Sequence, residues 1–219
     1  MEAADAKYMR AMKPSLQVVD APGISHLTLT RPLSSDQVSK HGTDMTSGLV
    51  AAADKNLVVL YAGSYRPASS YQGSYLLLDA ASSSSSLSTI PGIRYKPDYT
   101  CPGFATVVMA REGGAFVLAE LLFGFRRHGS PTLGMLGLWS GSSELEQGSE
   151  WVYKVGHLPA QVSHRWRIHM SFSVQSRDLL CWVDLLHGLL LCDLGRHHCN
   201  VDSSDLEISF VPLPHSCTI

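Results

Sequence analysis

Leu179-Leu180-Cys181-Trp182-Val183-Asp184, then Leu185-Leu186-His187-Gly188, then Leu189-Leu190-Leu191-Cys192-Asp193 is the stretch on which the reading of this chain turns. Its two halves are short, densely apolar and too brief for helices, so they read as strands meeting at a tight turn around His187-Gly188. Downstream, Leu206–Pro214 supplies a third strand that Pro212 and Pro214 bring to a stop. Leu179–Val183 and Leu189–Cys192 are apolar on both parities. A sheet with one face in water would alternate, so this pattern implies cover on both faces.

Working outward, the same layout recurs. Asn56–Pro91, Gly114–Pro159 and Asp178–Pro214 each run a strand, a turn, a second strand, a polar loop and a short apolar strand closed by proline. The second strands end alike, Leu77-Leu78-Asp79-Ala80 in one and Leu191-Cys192-Asp193-Leu194 in another. Small antiparallel sheets repeated at this length are the sequence form of propeller blades. Further strands are predicted at His26–Arg31, Gly48–Ala53, Phe104–Ala110 and Trp166–Val174, with Asp54-Lys55 and Arg111–Gly114 as turns. Met1–Asp20 mixes charges with helix formers and is too short to hold a helix alone, so residues 1–20 read as a mobile tail. Residues 21–214 form the propeller-like domain and 215–219 a short C-terminal tail. The expected fold is all-β: an incomplete or irregular propeller-like array of small antiparallel sheets.

These residues also carry a resemblance. Cys181-Trp182-Val183-Asp184, Gly188–Asp193 and the Phe210-Val211-Pro212-Leu213-Pro214 ending resemble the plant family called domain of unknown function 1618, which is greatly expanded in grasses. Tyr75–Ala80, Phe116–Leu121 and Trp151–Lys154 are similar to its habits, and the likeness runs from about Gly23 to Pro214. The resemblance implies a propeller-like fold akin to the β-domains that follow F-boxes in plants, and it carries no catalytic residues. Members continue well past the Val-Pro-Leu-Pro element, whereas this chain stops five residues later. The expectation is therefore an unclosed ring with Leu179–Val211 at an exposed end.

Composition narrows the function classes. With 219 residues the chain can bury a sizeable core. Apolar residues make up 45% and charged residues 16%, and the formal net charge is -2. No global field selects nucleic acid or an anionic surface. Met1–Ser15 carries five charged residues and no apolar core, so it does not read as a secretory signal. The longest apolar run, Ala115–Phe125, is broken by Glu120 and Gly124 and is too short to span a bilayer. Five cysteines, an odd number, read as reduced thiols, and the expected location is intracellular, cytoplasmic or nuclear.

Three groups of residues carry chemistry worth weighing. Cys192, His197, His198, Cys199, His215 and Cys217 are the densest set of metal-ligand types, but no Cys-x-x-Cys knuckle occurs, and Cys192 shares parity with Leu190 and Leu194. Asp184 and Asp193 could form an acid/base pair, yet each ends an apolar strand beside a turn, where carboxylates cap backbone N–H groups. His164–His169 interleaves basic and aromatic groups, as single-strand nucleic-acid sites do. As a strand, Trp166–Val174 would instead put Trp166, Ile168, Met170 and Phe172 on one buried face and Arg165, Arg167 and His169 on the other. Nucleophile elbows, phosphate-binding loops and His-Glu-x-x-His are absent from the sequence.

The reading is a non-catalytic protein-interaction module with no catalytic, cofactor or metal residues assigned, an unidentified protein partner, no membrane contact and self-association through the open end. Two other readings stand beside it: a metal-dependent enzyme using the His/Cys-rich stretch 192–217, and nucleic-acid binding through 164–169.

Overall fold

The computed structural model describes residues 13–17, 26–30, 48–62, 73–81, 87–93, 104–124, 133–142, 150–162, 166–195 and 207–214. Within them the protein is all-β. Strands β1 (Lys13–Gln17) and β2 (His26–Thr30) pair as a two-stranded antiparallel ribbon. The rest forms three four-stranded antiparallel sheets, each a simple meander. The first holds β3 (Gly48–Asp54), β4 (Leu57–Ala62), β5 (Ser74–Asp79) and β6 (Leu87–Pro91). The second holds β7 (Thr106–Ala110), β8 (Ala115–Gly124), β9 (Leu133–Ser142) and β10 (Val152–His157). The third holds β11 (Met170–Val174), β12 (Leu179–Asp184), β13 (Gly188–Asp193) and β14 (Ser209–Pro212). None closes into a barrel, and the whole is an irregular propeller-like array.

The repeat is thus real but one strand larger than the sequence suggests. Each unit begins a strand earlier, at β3, β7 and β11, and these three lie alongside one another at the centre of the array. Two of them are rich in small or hydroxylated residues: Gly-Leu-Val-Ala-Ala-Ala-Asp for β3 and Met-Ser-Phe-Ser-Val for β11. Small and hydroxylated side chains suit a crowded centre. Ser171 Oγ donates to the Thr106 carbonyl (2.6 Å) and Gln175 Nε2 to the Ala110 carbonyl (2.6 Å), so β7 and β11 run side by side in the same direction. Asp54, at the end of β3, accepts from the Ala110 N–H (2.8 Å) and from Ser173 Oγ (3.4 Å), joining all three.

The turns follow their sequences. Lys55, between β3 and β4, takes a positive φ of 53°, and Asp178, before β12, takes 52°. Gly113 supplies the same left-handed geometry between β7 and β8, where any side chain would be strained.

Two apolar layers hold the sheets together. Leu57, Val59, Tyr61, Tyr75 and Leu77 of the first sheet pack on Val108, Ala110, Phe116 and Leu118 of the second. The opposite face of the second sheet, with Val107, Met109, Ala119, Leu121 and Leu136, packs on Leu180, Trp182, Leu190 and Cys192 of the third. β8 is sandwiched between the two layers, which explains why it is apolar on both parities. Each large side chain closed off this way contributes about 1.5–3 kcal/mol.

Two further expectations change. Residues 1–20 were expected to be a tail without structure of their own, but Lys13–Gln17 is a strand whose Leu16 stands opposite Leu27. Pairing with β2 supplies the backbone partners that so short a segment lacks alone. The Trp166–Val174 strand begins only at Met170. Trp166 packs into the layer against the second sheet, while Met170 and Phe172 point the other way and are exposed. Residues 166–169 instead form the segment that enters β11, and its path is set by a carboxylate.

Candidate functional site

That carboxylate belongs to Asp184, the last residue of β12, whose side chain is fully buried. Its Oδ2 accepts the Arg167 N–H (2.8 Å) and lies 2.8 Å from His187 Nδ1. Its Oδ1 accepts the Leu186 N–H two residues on (2.8 Å), and His169 Nδ1 stands 3.7 Å away. The His187 N–H donates to the Asp184 carbonyl (3.1 Å), which completes a tight turn. Gly188 follows at φ 149°, where a Cβ would lie 2.3 Å from the Val211 carbonyl oxygen, so only glycine lets β14 approach. Above the aspartate, the His187 ring leans on Trp166, whose other neighbour is Phe210. Burial works to raise the Asp184 pKa, but the N–H groups of Arg167 and Leu186 and the His187 side chain outweigh it. The net shift is downward, and the group is held as a carboxylate.

Glu120 occupies the corresponding place in the second sheet. Counting from the hairpin between the first two strands, Ala110 faces Phe116, Val108 faces Leu118 and Thr106 faces Glu120. In the third sheet Ser173 faces Leu180 and Ser171 faces Trp182, so Asp184 comes next. Glu120 accepts from the Ala105 N–H (3.3 Å), from the Thr106 hydroxyl and from the Tyr75 hydroxyl (3.0 Å). Each acid therefore ties down the segment that leads into its sheet's innermost strand. Tyr75 is fully buried, and desolvation together with the Glu120 charge pushes its pKa well above the ordinary value. In the sequence Glu120 shows only as an interruption of an apolar run. A lone acid inside a two-faced apolar strand is the signal that could have found it.

Asp184 and Asp193 sit at opposite ends of their hairpin, because Asp184 faces Gly188 while Asp193 faces Leu179. Five residues of strand separate the two levels, about 17 Å, which is too far for a shared acid/base site. Asp193 Oδ1 accepts the Gly195 N–H (2.9 Å) and, like Asp184, closes a turn. Cys192 is buried against the second sheet, with its thiol pushed up to about 12, by burial first and the Asp193 charge second. The free thiol is therefore protonated at neutral pH. His197, His198, Cys199, His215 and Cys217 lie outside the described residues, as do His164 and Arg165. Among the described residues no group of three or more His, Cys, Asp or Glu side chains could hold a metal ion. Arg167 is exposed, and it is its backbone, not its guanidinium, that Asp184 holds.

The topology gathers several of these features at one end. Because β7 and β11 are parallel, Phe104 before β7, residues 166–169 before β11 and the 185–187 turn after β12 all emerge on the same side. Two contacts confirm it: the Trp182 indole N–H donates to the Ala105 carbonyl (2.8 Å), and Leu185 N–H to His169 Nδ1 (3.3 Å). Phe104, Leu185 and Leu186 are large apolar side chains left exposed there, and Arg167 and His169 of the neighbouring segment are exposed too. No protein-family model matches this chain, and no curated protein matches it in sequence. Among the described residues no helix is long and apolar enough to cross a membrane.

Proposed function

We propose that this chain is a non-catalytic protein-interaction module that binds its partner through the end of the array carrying Phe104, Leu185 and Leu186. One observation carries the reading: three large apolar side chains, each more than half exposed, lie on segments whose bases are fixed by buried carboxylates. Exposed apolar groups on a rigid support lose little conformational freedom on docking, which favours recognition of another protein surface. Arg167 and His169 beside them suit a partner that brings carboxylates to the rim of an apolar contact. The polar groups below are already engaged in turns and clamps, so none is poised as an acid, base or nucleophile. The resemblance around Trp182 to domain of unknown function 1618 supports the same reading, and membership of that plant family is part of this proposal.

The test is a comparison of the folded wild-type chain with Leu185→Ser/Leu186→Ser as bait in a quantitative pull-down from plant tissue. Both side chains are exposed, so the variant should melt as the wild type does. A partner retained by the wild type and lost by the variant is the expected result. Identical profiles would remove this end of the array from consideration. Stoichiometric zinc in protein purified without added metal would favour an enzyme instead.

A further inference from the structure

Successive N–H groups of the turn after β12 are each held. The Leu185 N–H reaches His169 Nδ1 (3.3 Å), the Leu186 N–H reaches Asp184 Oδ1 (2.8 Å) and the His187 N–H reaches the Asp184 carbonyl (3.1 Å). The last two are ties within the turn, whereas the first joins it to the segment that enters β11. The His169 backbone is itself anchored, its N–H donating to the Val183 carbonyl (2.9 Å). An imidazole nitrogen that accepts an N–H carries no proton of its own. The contact with Leu185 therefore exists only while His169 is neutral, with its hydrogen on Nε2.

Two histidines meet the Asp184 carboxylate, and they answer a proton differently. His187 Nδ1, 2.8 Å from Oδ2, donates to the carboxylate in the neutral ring and in the imidazolium alike, so its charge changes without a change of partner. His169 Nδ1 cannot keep its partner. Once protonated it is a donor facing the Leu185 N–H, and Asp184 Oδ1 stands 3.7 Å away as an acceptor. Closing that gap to a charge-assisted bond takes a side-chain shift of about 1 Å. The Asp184 pKa lies below the ordinary carboxylate value, so the acceptor stays ionised where histidines change charge. Both rings are 35% exposed, so solvent protons reach them. Among the described residues the other charged groups around this end are Arg167, exposed two residues back, and Glu120, fully buried beneath Ala105 and engaged by Tyr75 and Thr106. β14 reaches the turn through Leu213, which does not titrate.

We propose that His169 is a pH-sensitive latch on the Leu185–Leu186 tip, closed while its imidazole is neutral and opened when a proton turns its Nδ1 from the Leu185 N–H to Asp184. Its role in partner binding rests on the docking function proposed above. A tip that has lost a tie has more freedom to lose on docking, so the partner is held less tightly in mild acid than at neutral pH.

Proton–nitrogen NMR of the full chain between about pH 5 and 8 tests the latch without a partner. The His169 ring should pass from the Nε2–H tautomer to the imidazolium, and the Leu185 amide resonance should titrate with the same midpoint. After correction for the intrinsic pH dependence, that amide should exchange about three- to tenfold faster at the acid end, the range set by one hydrogen bond. His169→Asn puts a non-titrating acceptor oxygen near the place of Nδ1 and should abolish the Leu185 titration, whereas a folded His187→Asn should retain it. The wild type decides alone if a melt shows either variant misfolded. A Leu185 amide indifferent to the His169 ring, a neutral His169 protonated on Nδ1, or a Leu185 titration that survives in folded His169→Asn would each overturn the latch, even if Leu185→Ser/Leu186→Ser loses the partner. A Leu185 titration that tracks His169, in a chain whose Ser/Ser variant still binds the partner, supports the latch and removes the docking reading instead.

Discussion

Replacing Trp182 with alanine should come close to unfolding this protein. The side chain is fully buried at the centre of the layer between the second and third sheets, and its indole N–H reaches across to the Ala105 carbonyl. Tryptophan-to-alanine changes at such sites cost about 3–5 kcal/mol through lost transfer energy and the cavity left behind. The lost hydrogen bond adds about 0.5–1.5 kcal/mol. Ala105 O keeps a partner in the Leu121 N–H (3.3 Å), so no orphaned carbonyl increases the figure. The sum, about 4–6 kcal/mol, compares with a total stability of about 5–15 kcal/mol for a domain. Urea unfolding followed by far-ultraviolet circular dichroism avoids the lost fluorophore. With a slope of about 2 kcal/mol per molar, the midpoint should fall by about 2–3 M, or the variant should be unfolded without urea. Trp182→Phe keeps most of the apolar volume and should lose about 1–2 kcal/mol. Arg167→Ala keeps the backbone bond to Asp184 and should stay within about 0.5 kcal/mol of wild type. A Trp182→Ala midpoint within about 0.5 M of wild type would refute the assignment of this residue to the core.

Gly188→Ala places a Cβ 2.3 Å from the Val211 carbonyl oxygen at φ 149°, so it should cost at least about 2 kcal/mol, with hydrogen exchange accelerating first in β14. Asp184→Asn swaps one acceptor oxygen for a donor that faces N–H groups and should cost about 1–3 kcal/mol, read from the same urea curves. Because the folded-state pKa of Asp184 is depressed, its contribution is present above the ordinary carboxylate pKa and lost as pH falls through the lower folded value. The wild type should therefore lose stability to acid in that window, and the asparagine variant should lose less. Cys192 has the opposite sense. With its pKa raised from 9.0 to about 12, the unfolded chain ionises first as pH rises, so stability should fall by about 1.4 kcal/mol by pH 10. Melts of wild type and Cys192→Ala between neutral pH and pH 10 would check it, since the alanine variant lacks that slope.

What the sequence determined by itself was set by local chemistry. Runs such as Leu179–Val183 are too short for helices and too apolar for one-sided sheets, and that forces strands covered on both faces. The turns at Asp54-Lys55 and Arg111–Gly114 were legible for the same reason, as was the capping role of the strand-ending aspartates. The tertiary structure decided the rest. The central strands β3, β7 and β11 were legible as strands, but nothing in their sequences marks each as the first strand of the sheet that follows, so the repeat unit read from sequence was one strand short. Trp166, Met170 and Phe172 lie at even spacing, which suggests one face. The Arg167 N–H bonds the Asp184 carboxylate while the His169 N–H already reaches the Val183 carbonyl of β12, and the tryptophan goes inward while the other two go outward. Pairing of a carboxylate with an N–H seventeen residues away leaves no trace in local periodicity. Nor does the arrangement that gathers Phe104, Leu185 and Leu186 at one end, since it depends on β7 and β11 running parallel, and that is fixed by packing between sheets.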